Sequence, residues 1–459
     1  MSKIFFWRIL IFTVSKLKST DPKVFELIKE EEKRQNDVLE MIPSENYASG
    51  AVLEALGSVL NNKYSEGYPR KRYYQGNSVV DSVETLAIER AKELFGVPYV
   101  NVQPYSGSPA NAEIYLALLT PLEDTIMGLS LAFGGHLTHG AAVSFAGKYF
   151  KTVAYTLDEK GFLDFDQIEQ IALSQKPKII VCGATAYPRK IDFKKFGEIA
   201  DKVASVTGSV TYVLADISHI AGLIVAKEHQ SPVKSVDIVM TTTHKTLRGP
   251  RGAMIMVTEK GLEKDPELAD KIDKAVFPGL QGGPHDNQTA AIAVALEEAS
   301  RKEFREYGKQ IVKNAKTLAE ELVRFGFDLI SGGTDNHLLL IDLTNKKVNG
   351  AAAAYALEVA GIVVNKNAVP NDVMPPFYPS GIRLGTPAIT TRGMKEKEMV
   401  KVASWINEVV NELHGEQVPD TKEARSAFWK IFRTKTKENE KLLKIAEQVR
   451  EFCQKFPLP

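Results

Sequence analysis

The residue in this sequence whose setting most demands chemistry is Lys245. It stands in the string TTTHKTLRGPRG, Thr241 to Gly252, where a β-rich run ends in three threonines, then His244 and Lys245, then a turn rich in Gly, Pro and Arg. Burying an ammonium group is costly unless it is paired or used covalently. A lysine that forms a Schiff base needs such a place, because desolvation and a neighbouring positive group lower its pKa and favour the imine. A surface lysine at a strand-to-loop junction is the ordinary reading of a single such residue. The twelve-residue string as a whole favours the catalytic one.

A second string lies upstream, VTYVLADISHIAGL, Val210 to Leu223, in which an apolar run leads straight into Asp216, with His219 three positions on. Alone, Asp216 reads as a helix cap. Followed by a second strand that ends in a candidate Schiff-base lysine, it reads as the carboxylate that pairs with a pyridinium nitrogen and keeps a cofactor ring protonated. A third string, QPYSGSPAN from Gln103 to Asn111, ends a strand in Ser106, Gly107 and Ser108 before a helical pattern. Backbone N–H groups at such a turn form an anion site, a phosphate cradle to match the Lys and the Asp.

These residues need a scaffold, and the chain is long enough for one. Its 459 residues exceed what one core organises, so at least two domains are expected. The 58 basic and 57 acidic residues nearly cancel. No basic excess marks a nucleic-acid binder, and a small-molecule site is the default. Only Cys182 and Cys453 occur, which excludes a disulfide framework and a four-cysteine zinc site and fits a reducing cytoplasm.

Candidate strands are Val97 to Gln103, Lys178 to Cys182, Val210 to Ala215, Ser235 to Thr241 and Ala253 to Val257. Helical patterns fall at Ser82 to Phe95, Ala110 to Leu119 and Phe193 to Thr207. This alternation predicts an α/β fold with a mostly parallel sheet covered by helices, its ligands beyond the carboxyl ends of the strands. A long helical pattern runs from Gln288 through Phe304. A smaller α/β unit follows, with a strand at His337 to Leu343, a helix at Ala351 to Ala360, and then Gly361 to Asn365. Thr421 to Phe452 reads as helical, with Leu442, Ile445, Val449 and Phe452 on one face. Asp21 and Pro22 start a helix, and Lys23 to Glu40 reads as an amphipathic arm. The apolar runs within residues 1–20 are too short for a membrane span and lack a signal-peptide pattern, so this extension is expected to be disordered. The expected division is residues 1–20 as the extension, 21–62 as the helical arm, 63–287 as the large domain, and 288–459 as a linking helix and small C-terminal domain.

With MIPSENY (Met41 to Tyr47), KYSEGYPRKRYYQG (Lys63 to Gly76), GGHLTHG (Gly134 to Gly140), FPGLQGGPH (Phe277 to His285), VNKNAVPND (Val364 to Asp372) and SGIRLGTPAIT (Ser380 to Thr390), these strings resemble serine hydroxymethyltransferase from about Pro22 onward. The resemblance implies a fold-type I pyridoxal-phosphate enzyme that interconverts L-serine and glycine and passes the one-carbon unit to tetrahydrofolate or a related tetrahydropterin. Under it, Lys245 holds pyridoxal 5'-phosphate with His244 beside it, Asp216 meets the ring nitrogen, and His136 stacks on the ring. Ser106, Gly107 and Ser108 take the phosphate, and Thr185 and Thr242 lie near the cofactor. Arg383 binds the substrate carboxylate, with Ser44 and His219 close by; its planar fork suits a carboxylate. Leu137 and Asn367 lie near the pterin, as does Glu66. The resemblance also implies a cytoplasmic homodimer. Tyr64, Glu66 and Tyr74 come across the interface as proton-transfer and binding groups, and Gly282 and Gly283 reach the phosphate of the neighbouring subunit. Glu66 is the favoured proton-transfer group, since a carboxylate of raised pKa serves as acid or base near neutrality.

Plainer readings stand beside these. Tyr73 and Tyr74 can be packing residues, and Arg383 a structural ion pair. His136 and His139 have helical spacing but no accompanying carboxylate set, so no metal is expected. No nucleic-acid or membrane partner is expected either. Pro109 stands where the family often has Gln, and Thr185 where Ser is common. The rival activities are a pyridoxal-phosphate aldolase for β-hydroxy amino acids, such as a threonine aldolase, and a catalytically silent relative.

Overall fold

Ile179–Cys182, Tyr212–Asp216, Ile238–Thr242 and Ala253–Val257 are buried at every position. Strands of this kind must be covered on both faces, and they form the middle of a sheet layered with helices. The computed structural model describes residues 16–459 apart from Gln417 and Asp420. Its large sheet has seven strands. In chain order they are β1 (Tyr99–Asn101), β2 (Thr125–Leu129), β3 (Lys151–Tyr155), β4 (Ile179–Cys182), β5 (Tyr212–Asp216), β6 (Ile238–Thr242) and β7 (Ala253–Val257). Their spatial order is β1-β7-β6-β5-β4-β2-β3. Only the two pairings of β7 are antiparallel.

The five strands expected from sequence are present as β1, β4, β5, β6 and β7, and the α/β class with a mostly parallel sheet holds. β2 and β3 have no counterpart among the expected strands. β3 is an edge strand whose first residues are largely exposed, so it lacks an apolar pattern. β2 carries Gly128, a poor strand former, at a point where a Cβ would lie 2.3 Å from the His139 carbonyl oxygen.

A second core lies around a four-stranded antiparallel sheet of β8 (Asp328–Leu329), β9 (Leu338–Asp342), β10 (Asn365–Asn367) and β11 (Gly381–Gly385), in the order β8-β9-β11-β10. The helices Gly350–Val359, Glu396–Glu412 and Glu440–Cys453 contribute Ala356, Trp405 and Val449 to it. The helical run expected from Gln288 through Phe304 is instead two helices, Asp286–Ser300 and Lys302–Arg324. They part at Arg301, whose ψ of 156° is extended. The C-terminal run divides similarly into Lys422–Lys437 and Glu440–Cys453. The second of these is capped by the side chain of Asn439, whose oxygen accepts from the Lys441 and Leu442 amides.

The N-terminal arm is stitched to this second core. Asp21 caps the helix Pro22–Asp37 by accepting from the Val24 amide. Leu39 and Glu40 then pair in parallel with Ile362 and Val363, and Leu39 and Met41 enter the core. Arg392 locks the junction. Its guanidinium donates to the carbonyls of Gln35, Asn36, Val38, Cys453 and Phe456 at 2.6–3.1 Å, closing the carboxyl ends of two helices at once. Of the first twenty residues, Lys16–Thr20 form a short helix; the expectations for residues 1–15 lie outside the described residues.

Candidate active site

Beyond the carboxyl ends of β4, β5 and β6 lies a cavity of about 370 Å³. β5 delivers Asp216 as its last residue, and Ser218 and His219 follow in the next turn. β6 delivers Thr242, then His244 and Lys245. The loop after β4 brings Thr185, and the helix Gly107–Leu118 begins at the wall with Ser106, Gly107 and Ser108. Ser44 arrives from the N-terminal arm, His136 from the segment after β2, and Arg383 from β11 of the second sheet. Twelve of the residues singled out from sequence therefore share one cavity: Ser44, Ser106, Gly107, Ser108, His136, Thr185, Asp216, His219, Thr242, His244, Lys245 and Arg383.

Charge in this cavity is arranged rather than neutralised. Burial pushes the Lys245 ammonium down to about 8; Asp216 opposes that shift, while Arg383 and Arg251 add to it. Burial alone brings Arg383 down to about 10. Its Nε donates to Asn365 Oδ1 at 3.0 Å and one Nη1–H to the Thr185 carbonyl at 2.6 Å. Those two bonds hold the fork while other N–H groups remain for a ligand. Burial acts to raise the Asp216 carboxyl, but the His139 hydrogen bond and charge outweigh it, with His136 and Lys245 behind them. Asp216 is held well below the usual carboxylate range. Burial lowers His136 to about 4 and His244 to about 3, so both rings are neutral at pH 7.

Two residues that support Asp216 escaped the sequence reading as its partners. His139 Nε2 lies 3.0 Å from Asp216 Oδ2, and Asn111 Nδ2 donates to the same oxygen at 3.1 Å. The spacing of His136 and His139 was visible in GGHLTHG, but only the packing of three separate segments shows that His139 turns to the carboxylate. His337 was likewise missed; its Nε2 lies 3.3 Å from His219 Nδ1.

The cavity has the donors and the room that a pyridoxal phosphate requires. Lys245 and Asp216 border the same space. The Ser106 side chain makes no cap bond to its own helix, so the first turn keeps its N–H groups for an anion. A Cβ on Gly107 would sit 2.6 Å from Thr242 Cγ2, so glycine is needed where the turn passes β6. Thr242 Oγ1 and His244 Nδ1 are buried without partners among the described residues.

Seven sequence-selected residues lie outside the cavity lining: Tyr64, Glu66, Tyr74, Gly282, Gly283, Leu137 and Asn367. Five of them gather in a patch of their own. The Tyr64 and Tyr74 rings meet edge to face at 5.1 Å. A Cβ built on Gly282 would be 3.3 Å from Glu66 Oε1, and one on Gly283 would be 3.3 Å from the Tyr64 ring. Leu137 is 45% exposed, next in sequence to the cavity residue His136, and Asn367 ends β10 beside β11.

Comparison with known proteins places the chain in a family. A family model described as serine hydroxymethyltransferase matches residues 17–406. The chain is 54% identical over 444 residues to the serine hydroxymethyltransferase of Acidothermus cellulolyticus, covering 96% of this chain and 97% of the relative. It is 52% identical over 443 residues to that of Desulfotalea psychrophila, covering 96% of each, and 52% identical over 444 residues to that of Sorangium cellulosum, also covering 96% of each.

Proposed function

Because the chain belongs to the serine hydroxymethyltransferase family, we propose that its cavity binds pyridoxal phosphate and interconverts L-serine and glycine, with tetrahydrofolate as the one-carbon carrier. The observation that carries this reading is the meeting of Lys245, Asp216 and Arg383 in one cavity. When bound, the cofactor supplies a carbonyl for imine exchange and a ring that accepts the electron pair released at the amino acid's α-carbon.

Lys245 would hold the cofactor covalently and, with its pKa near 8, supplies a neutral amine at working pH more readily than a surface lysine does. Asp216 would hold the ring nitrogen, and His139 and Asn111 keep its carboxylate ionised and aimed. His136, neutral, would lie on the ring face, with Thr185 and Thr242 at its edge. Ser106, Gly107 and Ser108 would take the phosphate. Arg383 would hold the substrate carboxylate with Ser44 and His219. His244 would flank Lys245. A neutral His244 next to the lysine adds no second positive charge.

The exposed patch has a complementary part in the proposal. Tyr64, Glu66 and Tyr74 would reach the cavity of a second copy of the chain, where Glu66 moves protons, and Gly282 and Gly283 would reach that copy's phosphate. Leu137 and Asn367 would border the pterin. The unit is a homodimer with small-molecule substrates, and its place is the cytoplasm. Among the described residues, no helix is long and apolar enough to cross a membrane. The domains would be a large one of residues 63–287, then a linking helix and small domain within residues 288–459, with the arm at 21–62. A separate core around the four-stranded sheet supports a second domain, while Ile292, Leu296 and Phe304 of the linking stretch pack into the large core.

The test is serine cleavage assayed with and without tetrahydrofolate. Glycine formation that depends on the pterin supports the reading. Cleavage of β-hydroxy amino acids indifferent to the pterin would replace it with an aldolase, and no cleavage of either would leave a silent relative.

A further inference from the structure

Beside Ser44 in the N-terminal arm stands Asn46, which does not line the cavity. A side-chain amide has two N–H donors and an oxygen with two acceptor sites, and here all four are filled. Asn46 Nδ2 donates to the Lys245 carbonyl oxygen at 2.9 Å and to the Tyr307 hydroxyl at 2.7 Å. Asn46 Oδ1 accepts from the Tyr47 amide at 2.9 Å and from the Thr391 hydroxyl at 2.7 Å. The orientation of the amide follows from chemistry, since a peptide carbonyl can only accept and a peptide N–H can only donate.

The four partners come from separate parts of the fold. Lys245 is in the loop after β6. Tyr307 is on the helix Lys302–Arg324, under the Arg248 guanidinium at 4.9 Å. Thr391 ends the helix Pro387–Thr391, which follows directly on β11, the strand that carries Arg383. The Tyr307 hydroxyl in turn donates to the Pro387 carbonyl at the start of that helix, at 3.4 Å. One amide thus joins the peptide of Lys245 to the strand–helix unit that holds Arg383.

We propose that Asn46 is a positioning residue, which fixes the backbone of Lys245 in register with Arg383 across the two cores. It touches neither cofactor nor substrate and acts through the Lys245 carbonyl. The inference rests on the reading of Lys245 and Arg383 given above. Reaction at a lysine held against a separately anchored substrate clamp is sensitive to displacements of an ångström or less.

The test is Asn46→Asp in the full-length holoenzyme. The change is isosteric, keeps the acceptor for Tyr47 and Thr391, and removes both donors, setting an oxygen against the Lys245 carbonyl. The expected result is a fall in kcat of roughly ten- to a hundredfold with little change in KM for serine. The pH midpoint of the bound cofactor's absorption change should also move by about half a unit or more. A lower melting temperature with wild-type kcat and wild-type midpoint would make Asn46 merely structural and overturn the proposal. Should Asn46→Asp not fold, Thr391→Val leaves the bond to Lys245 but removes one of the two donors to the amide oxygen, the Tyr47 amide remaining. It should shift both readouts in the same direction by a smaller step of about two- to fivefold in kcat, and an unchanged pair overturns the proposal equally. Wild-type protein that never takes up the cofactor would instead defeat the underlying reading, so the two failures are distinguishable.

Discussion

The cavity and the tyrosine–glycine patch are drawn from the same set of sequence motifs, yet the fold treats them oppositely. Asp216 and Arg383 are buried and bonded on several sides, whereas Tyr64 and Tyr74 are 55% and 47% exposed and rest on each other. Tyr105 links the two regions: it precedes the phosphate-type turn and donates its hydroxyl to the Gly283 carbonyl at 2.7 Å. The cavity is organised by one chain alone, while the patch has the chemistry of a site without an enclosure of its own. A group that must act on a substrate needs water kept out and partners fixed. The patch gains both only if it is set against another surface, which is why we assign it to a second subunit.

The contrast is most exposed at Lys245. Lys245→Ala should abolish turnover of serine, measured as glycine formation, and near-normal turnover would end the assignment. The next effect tests the division between cavity and patch. Lys245→Ala and Glu66→Ala chains, each inactive alone, should regain activity when unfolded together and refolded as mixed dimers, because one cavity then has an intact lysine and receives an intact patch. No recovery in a mixture shown to contain the hybrid would place both sets in one chain.

A smaller effect is expected from Arg383→Lys. It removes the planar fork while keeping the charge, and should raise KM for serine by roughly ten- to a hundredfold, in line with about 1.5–3 kcal/mol for a charge-assisted hydrogen bond. Steady-state kinetics at saturating pterin would show it. The cavity's electrostatics give a pH prediction of defined sign. The rate at which cofactor-free protein attaches pyridoxal phosphate should climb as pH rises through about 8, as Lys245 loses its proton. Arg383→Leu removes a like charge and should move that midpoint upward.

A last effect, on stability and not on turnover, lies in the helix that starts at Gly107. Glu113 is fully buried, neither of its carboxyl oxygens has a partner among the described residues, and burial lifts it to about 8. A carboxyl whose folded value is raised above its unfolded one stabilises the fold fully below the unfolded value and loses that contribution as pH rises through the folded one. Denaturant midpoints should therefore fall as pH rises from about 5 to about 8, and Glu113→Gln should flatten the decline.

Much of the site was legible in the sequence where chemistry is local. Lys245 is marked by the twelve-residue string around it, whereas Asp216 at a strand end and the Ser-Gly-Ser turn take their meaning from that lysine further along the chain. The strands they end are continuous apolar runs. What was not legible depends on long-range packing. His139 and Asn111 both meet Asp216 only because three segments far apart in the chain converge. β2 and β3 were missed because an internal glycine and an exposed edge erase the apolar signal. The break at Arg301 has neither Pro nor Gly to announce it, and charged residues on both sides continue the helical pattern.

Everything assigned to the cavity depends on Lys245 as the covalent anchor of the cofactor. Borohydride reduction of the holoenzyme, followed by peptide mapping, addresses that role at the residue itself. A stable phosphopyridoxyl group should appear on Lys245, and that adduct should be lost when the enzyme is saturated with serine before reduction. An adduct on another lysine, or none on protein that carries the cofactor, would contradict the assignment.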